Sequence, residues 1–351
     1  MEEKKEIIDV ENTSIQETPT EEKKIEKERN EPLDNKPQKP AVETYSYSHP
    51  ALQNIEDSRK DFLRFYKKQN ILKWVIGLLC LAIVIFAWIG IPNIVPVDSE
   101  TGKQPAFVIP LIIVVAVVVL VAVFVYTFLT KRYVKKRMRD YFSEYYSYCK
   151  DFVFDQEGFE EAELQFPDKI ERVQFDENLI YCNVAEIGSR GLTEFKFNGD
   201  LMMVCDCAAQ VKNDKSIMPV FVGKYLVAPA AYAEENQIII YLKGDHRALP
   251  PTNLEGIKAV FDDKVMSIYS NNKDWSKVVN AKVLKSLKAI KIGKELIDVA
   301  ISVNNGKVYF CLGYDDPLMV LPLEQPFNPK PITEYKKDMA VIAKLAEEFS
   351  K

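Results

Sequence analysis

Two long apolar stretches constrain this chain more than any other feature. They cover residues 71–95 and 107–130, and the second contains neither a charged residue nor a glycine. A helix needs roughly 20 apolar residues to cross a hydrocarbon core of about 30 Å, and both stretches reach that length. Because only a helix satisfies its own backbone hydrogen bonds inside lipid, the two stretches predict a transmembrane helical hairpin. The alternative is a buried core helix, which the uninterrupted apolar composition disfavours.

Basic residues flank this hairpin on one side only. Six lysines and arginines lie in residues 59–73 and six more in residues 131–139, whereas the connecting segment carries only Lys103. Lysine and arginine accumulate on the cytoplasmic side of membrane proteins. We therefore expect a multi-pass protein of the cytoplasmic (inner) membrane with both termini in the cytoplasm and the lipid bilayer as its first partner.

The remaining sequence divides into four segments by composition. Residues 1–45 are charged and nearly free of aromatic residues, which predicts a disordered tail. Residues 46–150 should form a helical stalk that contains both spans. Residues 151–248 predict a strand-rich lobe and residues 249–351 a mixed α/β lobe, and whether these are one domain or two is left open. The expected fold class is an α+β cytoplasmic domain rich in antiparallel strands, anchored by the transmembrane hairpin.

Apolar positions outside the spans predict that the membrane helices continue into the cytoplasm. They recur at helical spacing before the first span and at heptad-like spacing after the second. We expect the two segments to pack as an antiparallel stalk; the alternative is that each lies along the membrane surface. The positions are Leu52, Ile55, Phe62, Leu63 and Tyr66, and Val134, Met138, Tyr141, Tyr145 and Tyr148.

Short apolar runs after the stalk predict strands. Asn198-Gly199 and Asn305-Gly306 stand between such runs and predict two hairpins. Residues 188–191 predict a further turn, and Pro331 should open a C-terminal helix. The predicted strands cover residues 170–175, 179–184, 193–197, 201–207, 219–227, 237–242, 265–269, 296–303 and 307–312.

A basic amphipathic helix is predicted over residues 274–291. Its apolar side should face the core, and its other side presents lysines that are candidates for contact with the membrane or a partner: Lys277, Lys282, Lys285 and Lys288. A solvated helix face is the alternative.

Catalytic and cofactor motifs are absent from the sequence. It has no phosphate-binding loop, dinucleotide fingerprint or paired metal-binding histidines, so we predict no cofactor and no metal site. The only histidines are His49 and His246, and the closest cysteine pair, Cys205 and Cys207, is expected to be buried in a strand. A net charge of −5 and an isoelectric point near 5.5 argue against nucleic-acid binding.

One further signal comes from the C-terminal helix and four segments: Val220-Phe221-Val222-Gly223, residues 254–270, Val283-Leu284 and Lys307-Val308-Tyr309-Phe310. Together they resemble a bacterial family, domain-of-unknown-function family 3137. The resemblance covers roughly residues 133–351 and implies a membrane hairpin followed by a cytoplasmic domain, with LemA-type membrane proteins as possible partners. We expect a membrane-tethered binding or assembly module of the cell envelope; the alternative is a membrane-bound enzyme with a carboxylate-based site.

Overall fold

The computed structural model describes residues 45–96, 104–165, 169–181, 184–213, 216–231, 237–242, 256–293, 296–314 and 323–351. Almost all of the predicted tail therefore lies outside the described residues. The same is true of His246 and Cys182.

Two very long helices begin the described structure. Helix α1 runs over Pro50–Ile94 and α2 over Val108–Val153, so each is close to 70 Å long at about 1.5 Å per residue. The His49 ring caps α1 by accepting a hydrogen bond from the Ala51 amide at 3.1 Å. The other helices in the described part of the chain are α3 Arg172–Asp176, α4 Trp275–Val278, α5 Ala281–Ala289 and α6 Lys330–Ser350.

The first half of α1 and the second half of α2 pack against each other as an antiparallel pair. The Phe62 and Tyr141 rings stack with centroids 4.8 Å apart, and Ser58 donates a hydrogen bond to Glu144. From the Ser58–Glu144 contact to the Phe62–Tyr141 contact, the residue number rises on α1 and falls on α2, so the two helices are antiparallel. The predicted stalk is thus confirmed at Phe62 and Tyr141.

The other halves of α1 and α2 expose their apolar side chains. Large apolar residues between Ile71 and Ile94, and between Phe107 and Leu129, are mostly 41% to 76% exposed. Within each helix, the most apolar window is only 6% buried by the described protein. Both helices are long and apolar enough to cross a membrane.

Within the described residues, a single antiparallel sheet of nine strands follows the helix pair. Its spatial order is β1-β2-β3-β4-β9-β8-β5-β7-β6. The strands are β1 Phe159–Leu164, β2 Val184–Phe197, β3 Asp200–Asn213, β4 Ser216–Pro229, β5 Ile238–Leu242, β6 Lys258–Asp262, β7 Met266–Ser270, β8 Leu296–Asn304 and β9 Lys307–Tyr314.

The β8–β9 hairpin lies between β4 and β5 and hydrogen-bonds to both. Strands predicted for the 151–248 lobe and for the 249–351 lobe therefore belong to one sheet. One face of this sheet packs on α1, α2, α5 and α6, and the other is covered by the segment around α3.

Both predicted Asn-Gly hairpins are present. Asn198 and Gly199 have φ of +49° and +92°, and Asn305 and Gly306 have +49° and +72°. Positive φ at both central residues is the type I′ geometry, which matches the twist of antiparallel strands. The C-terminal helix predicted from Pro331 is also confirmed.

Four local predictions are wrong. Residues 179–184 were expected as a strand, but residues 179–181 are irregular, because the Asn178 side chain accepts hydrogen bonds from the Ile180 and Tyr181 amides, and β2 begins only at Val184. Residues 170–175 were expected as a strand but include the start of α3, because Glu171 and Gln174 form a reciprocal capping box there. The turn expected at residues 188–191 lies inside β2, at a bulge. The basic helix expected over 274–291 is two helices, α4 and α5, because Asn280 leaves helical geometry and accepts hydrogen bonds from Lys282 and Val283 as the cap of α5.

Candidate functional site

Helix α2 passes directly over strand β2, and a glycine makes the close approach possible. Gly191 lies beside the β2 bulge with φ of +62°, and a Cβ added there would stand 2.3 Å from the Tyr146 ring. Only glycine leaves room for this ring and adopts this φ without strain. The contact fixes Tyr146 at the boundary between the sheet and α2.

A buried ion pair lies beneath Tyr146. Asp206 on β3 and Lys224 on β4 are opposite each other in the sheet register, and their side chains form a salt bridge. The Tyr146 hydroxyl donates a hydrogen bond to Asp206 at 3.1 Å, and the Lys224 ammonium lies 4.4 Å from the centroid of the Tyr335 ring. The cluster joins β3 and β4 to α2 and α6.

The interior of this cluster has little free space. Burial raises the pKa of the Asp206 carboxyl, and the Lys224 cation and the Tyr146 hydroxyl oppose that shift. Burial also raises the pKa of the neighbouring Cys149 thiol to about 12. The cavity that these side chains line has a volume of about 20 Å³, which is room for about one water molecule. We therefore assign the cluster a structural role, which is to hold α2 and α6 on the sheet.

A groove opens from Tyr146 along α2 toward the apolar half of that helix. It consists of two adjoining depressions of about 620 and 300 Å³ that share Lys135 and Arg139. We call this surface the basic groove. Its lining residues are Leu129, Arg132, Tyr133, Lys135, Lys136, Met138, Arg139, Phe142, Tyr146, Ser189, Arg190 and Gly191.

The cations of the basic groove form no short ion pair within the described part of the chain, although Arg190 lies opposite Asp206 in the β2–β3 register and opposes the rise in the pKa of that carboxyl. No ion pair within 4.0 Å joins Arg132, Lys135, Lys136, Arg139 or Arg190 to a described acidic residue. The Arg190 guanidinium instead lies 5.5 Å from the centroid of the Phe142 ring. Clustered cations beside aromatic rings are suited to a phosphate or carboxylate group that is attached to an apolar body.

Three of the four lysines predicted to face the membrane or a partner have acidic neighbours instead. Lys282 lies 3.5 Å from Glu348 and Lys277 lies 3.1 Å from Asp274. Lys288 lies 2.8 Å from Asp263, and its hydrogen bond, together with backbone amides, lowers the pKa of Asp263 to about 2. The fourth lysine, Lys285, is exposed on α5.

The lysines of α5 lie on the side of the sheet domain that faces away from the apolar helix halves. Helix α6 follows α2 in the same direction, since Phe327 contacts Tyr145 and Lys336 contacts Phe152. Glu348, the partner of Lys282, lies twelve residues beyond Lys336, or about 18 Å along the helix axis. A membrane or partner contact by these lysines stays a prediction, and this placement favours a solvated face.

The other candidate residues of the sequence lie apart from each other. Cys205 and Cys207 are buried and carry free thiols, as predicted, and burial raises the pKa of both. His49 contacts Asp155 at 3.1 Å, far from the basic groove. Among the described residues, no three His, Cys, Asp or Glu side chains come together as a metal site. Asp315 and Asp316, adjacent carboxylates in the sequence that an acid–base site could use, are outside the described residues.

Sequence reasoning missed Asp206 and Lys224, although each carries a visible signal. Each is a single charged residue inside an otherwise apolar strand, Val-Cys-Asp-Cys-Ala and Val-Gly-Lys-Tyr-Leu. Two opposite charges of this kind on neighbouring strands predict a buried pair once the register is known.

Comparison with known proteins leaves the family open. No protein-family model matches the sequence, and no curated protein matches it. The crystal structure of the mycobacterial trehalose monomycolate transport factor A, TtfA, aligns with 56% of this chain and 92% of its own, at 9% identity and a TM-score of 0.30. A likeness this weak carries no inference about function.

Proposed function

We propose that this protein is a membrane-tethered module whose cytoplasmic sheet domain binds an anionic group at the inner face of the bilayer. Helices α1 and α2 cross the membrane as a hairpin, and the basic groove is the binding surface. The resemblance to domain-of-unknown-function family 3137, with LemA-type membrane proteins as partners, belongs to the same proposal.

The exposed apolar halves of α1 and α2 carry the proposal. Leaving one large apolar side chain in water rather than burying it costs roughly 1.5 to 3 kcal/mol. The two helices expose such side chains along their entire outer halves, including Trp74, Phe86 and Trp88 on α1 and Phe124 and Phe128 on α2. A folded protein is stable by only about 5 to 15 kcal/mol, so this surface requires an apolar environment.

The position of the basic groove supports an anionic ligand at the membrane. Its first cation, Arg132, follows the apolar half of α2 almost directly, and Leu129 is part of its lining. Each lysine or arginine near an anionic bilayer surface contributes about 1 kcal/mol of attraction. Lipid phosphate is therefore the nearest source of the anion.

An enzyme with a carboxylate-based site is the other function considered from the sequence. Its best candidate is Asp206, whose pKa burial raises. The space beside Asp206 has room for about one water molecule and is lined by Tyr146 and Tyr335. A substrate does not fit there, so the geometry supports the binding module better.

The test is a lipid titration of the full chain in detergent, followed by native mass spectrometry. The parent protein should retain phosphatidylglycerol in preference to phosphatidylcholine. Changing Lys135, Arg139 and Arg190 to glutamine removes about 3 kcal/mol of attraction, so phosphatidylglycerol binding should weaken by roughly two orders of magnitude.

The matched control changes three lysines of the opposite end, Lys277, Lys282 and Lys285, to glutamine. Because these lie far from the apolar helix halves, binding should stay within about threefold of the parent, less than 1 kcal/mol. If the control variant lost more phosphatidylglycerol binding than the groove variant, the binding surface would lie at the lysines of α4 and α5 instead. If the parent protein retained both lipids equally, the basic groove would not be an anion-binding site.

A further inference from the structure

The cations that α2 contributes to the basic groove form one row along the helix. They stand at positions i, i+3, i+4 and i+7, which is the spacing of residues on one face of a helix. We call the depression of about 620 Å³ the outer depression and that of about 300 Å³ the inner depression. Lys135 and Arg139 line both, so the row continues from one depression into the other. The cations of the row are Arg132, Lys135, Lys136 and Arg139.

The two depressions lie at different heights above the proposed membrane. Arg132 follows Leu129, the last large apolar residue of the second apolar stretch, by three residues, or about 4.5 Å of helix. Phe142 follows Leu129 by thirteen residues, or about 20 Å. Because lipid headgroups form a layer only about 5 to 8 Å thick, Arg132 lies within that layer and Phe142 beyond it. The outer depression therefore begins among the lipid phosphates, and the inner depression extends past them.

Strand β2 adds a further cation to the inner depression. Arg190 is exposed and lies over the Phe142 ring, with its guanidinium 5.5 Å from the ring centroid. A guanidinium binds phosphate through two parallel N–H donors. Arg139 and the apolar Met138 line the same depression. The inner depression is therefore suited to a phosphate on a compact body that stands outside the headgroup layer.

Asp206 leaves the donors of Arg190 available to a ligand. The two residues lie opposite each other in the β2–β3 register. The Asp206 carboxylate already pairs with Lys224 and accepts a hydrogen bond from the Tyr146 hydroxyl. Among the described side chains, no ion pair within 4.0 Å joins Asp206 to Arg190. The attraction between them therefore orients Arg190 without occupying its N–H groups.

We propose that the basic groove binds a phospholipid whose headgroup carries a second phosphate, with the first phosphate at Arg132 and the second at Arg190. This inference rests on the proposed function and names the class of its anionic ligand. A phospholipid with one phosphate contacts the outer depression and gains only the long-range attraction of Arg190. A phosphate on the far side of the headgroup reaches the Arg190 guanidinium directly. The second phosphate accounts for a row of cations that extends beyond the headgroup layer.

The test repeats the lipid titration of the full chain in detergent with two matched probes. Phosphatidylinositol carries one phosphate, and phosphatidylinositol 4-phosphate carries a second phosphate on the same ring. The parent protein should bind the second lipid at least about tenfold more tightly, the effect of one charge-assisted hydrogen-bonded contact.

Three single variants locate the second phosphate. Arg190→Gln should lower the preference for phosphatidylinositol 4-phosphate to about threefold or less. Arg132→Gln, the matched change in the outer depression, should weaken both lipids alike and leave the preference within about twofold of the parent. Arg139→Gln, on the exposed surface of α2, repeats the test without a change in the sheet and should lower the preference at least about twofold.

A parent protein that prefers phosphatidylglycerol to phosphatidylcholine but binds the two inositol lipids equally would overturn this inference alone. An equal fall in preference from Arg132→Gln and Arg190→Gln would do the same. Glycerophosphoinositol 4-phosphate, the same headgroup without acyl chains, should compete only weakly; competition at the concentration of the lipid would make the ligand a soluble one and overturn the lipid assignment. A parent protein that binds no anionic lipid more tightly than phosphatidylcholine would overturn the proposed function and this inference together.

Discussion

A buried ion pair on α1 should stabilise the contact between the stalk and residues 323–327, the segment that leads into α6. Glu56 and Arg59 are 3% and 5% exposed, and Arg59 donates two hydrogen bonds of 2.7 Å to Glu56 and one of 2.7 Å to the Leu323 carbonyl. Glu56 in turn accepts a hydrogen bond from the Phe327 amide at 2.9 Å. The pair therefore joins α1 to a segment far away in sequence.

Replacing Glu56 with alanine should leave the Arg59 charge buried without its partner. Removal of one member of a buried pair costs about 3 to 5 kcal/mol. We expect the local opening of residues 323–327 to become easier by that amount, which corresponds to roughly a 150-fold to 4,000-fold faster hydrogen exchange. Exchange measured by mass spectrometry on the full chain in nanodiscs reports the change at the Phe327 amide.

A double variant separates the charge effect from lost packing. The double variant, Glu56→Leu with Arg59→Met, removes both charges and keeps apolar volume. Its loss of stability should be at least about 2 kcal/mol smaller than the summed losses of the single variants Glu56→Leu and Arg59→Met. Additive effects, or a Glu56→Ala variant whose exchange at Phe327 changes less than fivefold, would refute the reasoning.

Three further predictions concern the same domain. Gly191→Ala should destabilise the contact of α2 with β2 by about 1 to 3 kcal/mol, because the new methyl group meets Tyr146 at a positive φ; hydrogen exchange of β2 measures this. Cys205 and Cys207 should react with a maleimide only in denaturant, because burial raises the pKa of both thiols. Burial raises the pKa of Glu56, but hydrogen bonds from Arg59 and Phe327 outweigh it, so the pKa lies below its usual 4.5. The stability that ionised Glu56 contributes is therefore fully present above pH 4.5 and is lost as the pH falls through the lower pKa of the folded protein. Hydrogen exchange at the Phe327 amide, corrected for its intrinsic rate, should increase only in that lower pH range.

Local signals in the sequence predicted the parts of the fold that local physics determines. The apolar stretches predicted the outer halves of α1 and α2, and the two Asn-Gly pairs predicted hairpins because both turns need positive φ. The helical spacing of apolar residues predicted that the segment with Phe62 packs on the segment with Tyr141. The spans and the turns depend on residues close together in the chain, and the contact of Phe62 with Tyr141 depends on apolar spacing within each of the two helices.

Long-range pairing explains most of what could not be predicted. The insertion of β8 and β9 between β4 and β5 depends on tertiary contacts, which no local pattern in the sequence encodes. The turn expected at residues 188–191 became a bulge because Tyr146, on a distant helix, packs on Gly191. The break at Asn280 was readable as a helix cap, and the continuous lysine pattern on both sides obscured it.

The basic groove could be predicted only in part. The lysines and arginines of residues 131–139 were used to predict the orientation of the chain in the membrane. Arg190 comes from β2 and joins them because α2 packs on the sheet. The site is therefore a product of the tertiary fold, and the four lysines singled out from the sequence lie elsewhere.

Cysteine labelling of intact cells tests the central claim, that the chain crosses the inner membrane twice with the sheet domain inside. Gln104 at the helix junction and Lys285 on α5 are both exposed, and each is replaced by cysteine in turn. A membrane-impermeant maleimide should label the cysteine at 104 in cells whose outer barrier is open, and the cysteine at 285 only after the inner membrane is disrupted. Labelling of the cysteine at 285 before disruption would contradict this topology and place the sheet domain outside the cytoplasm.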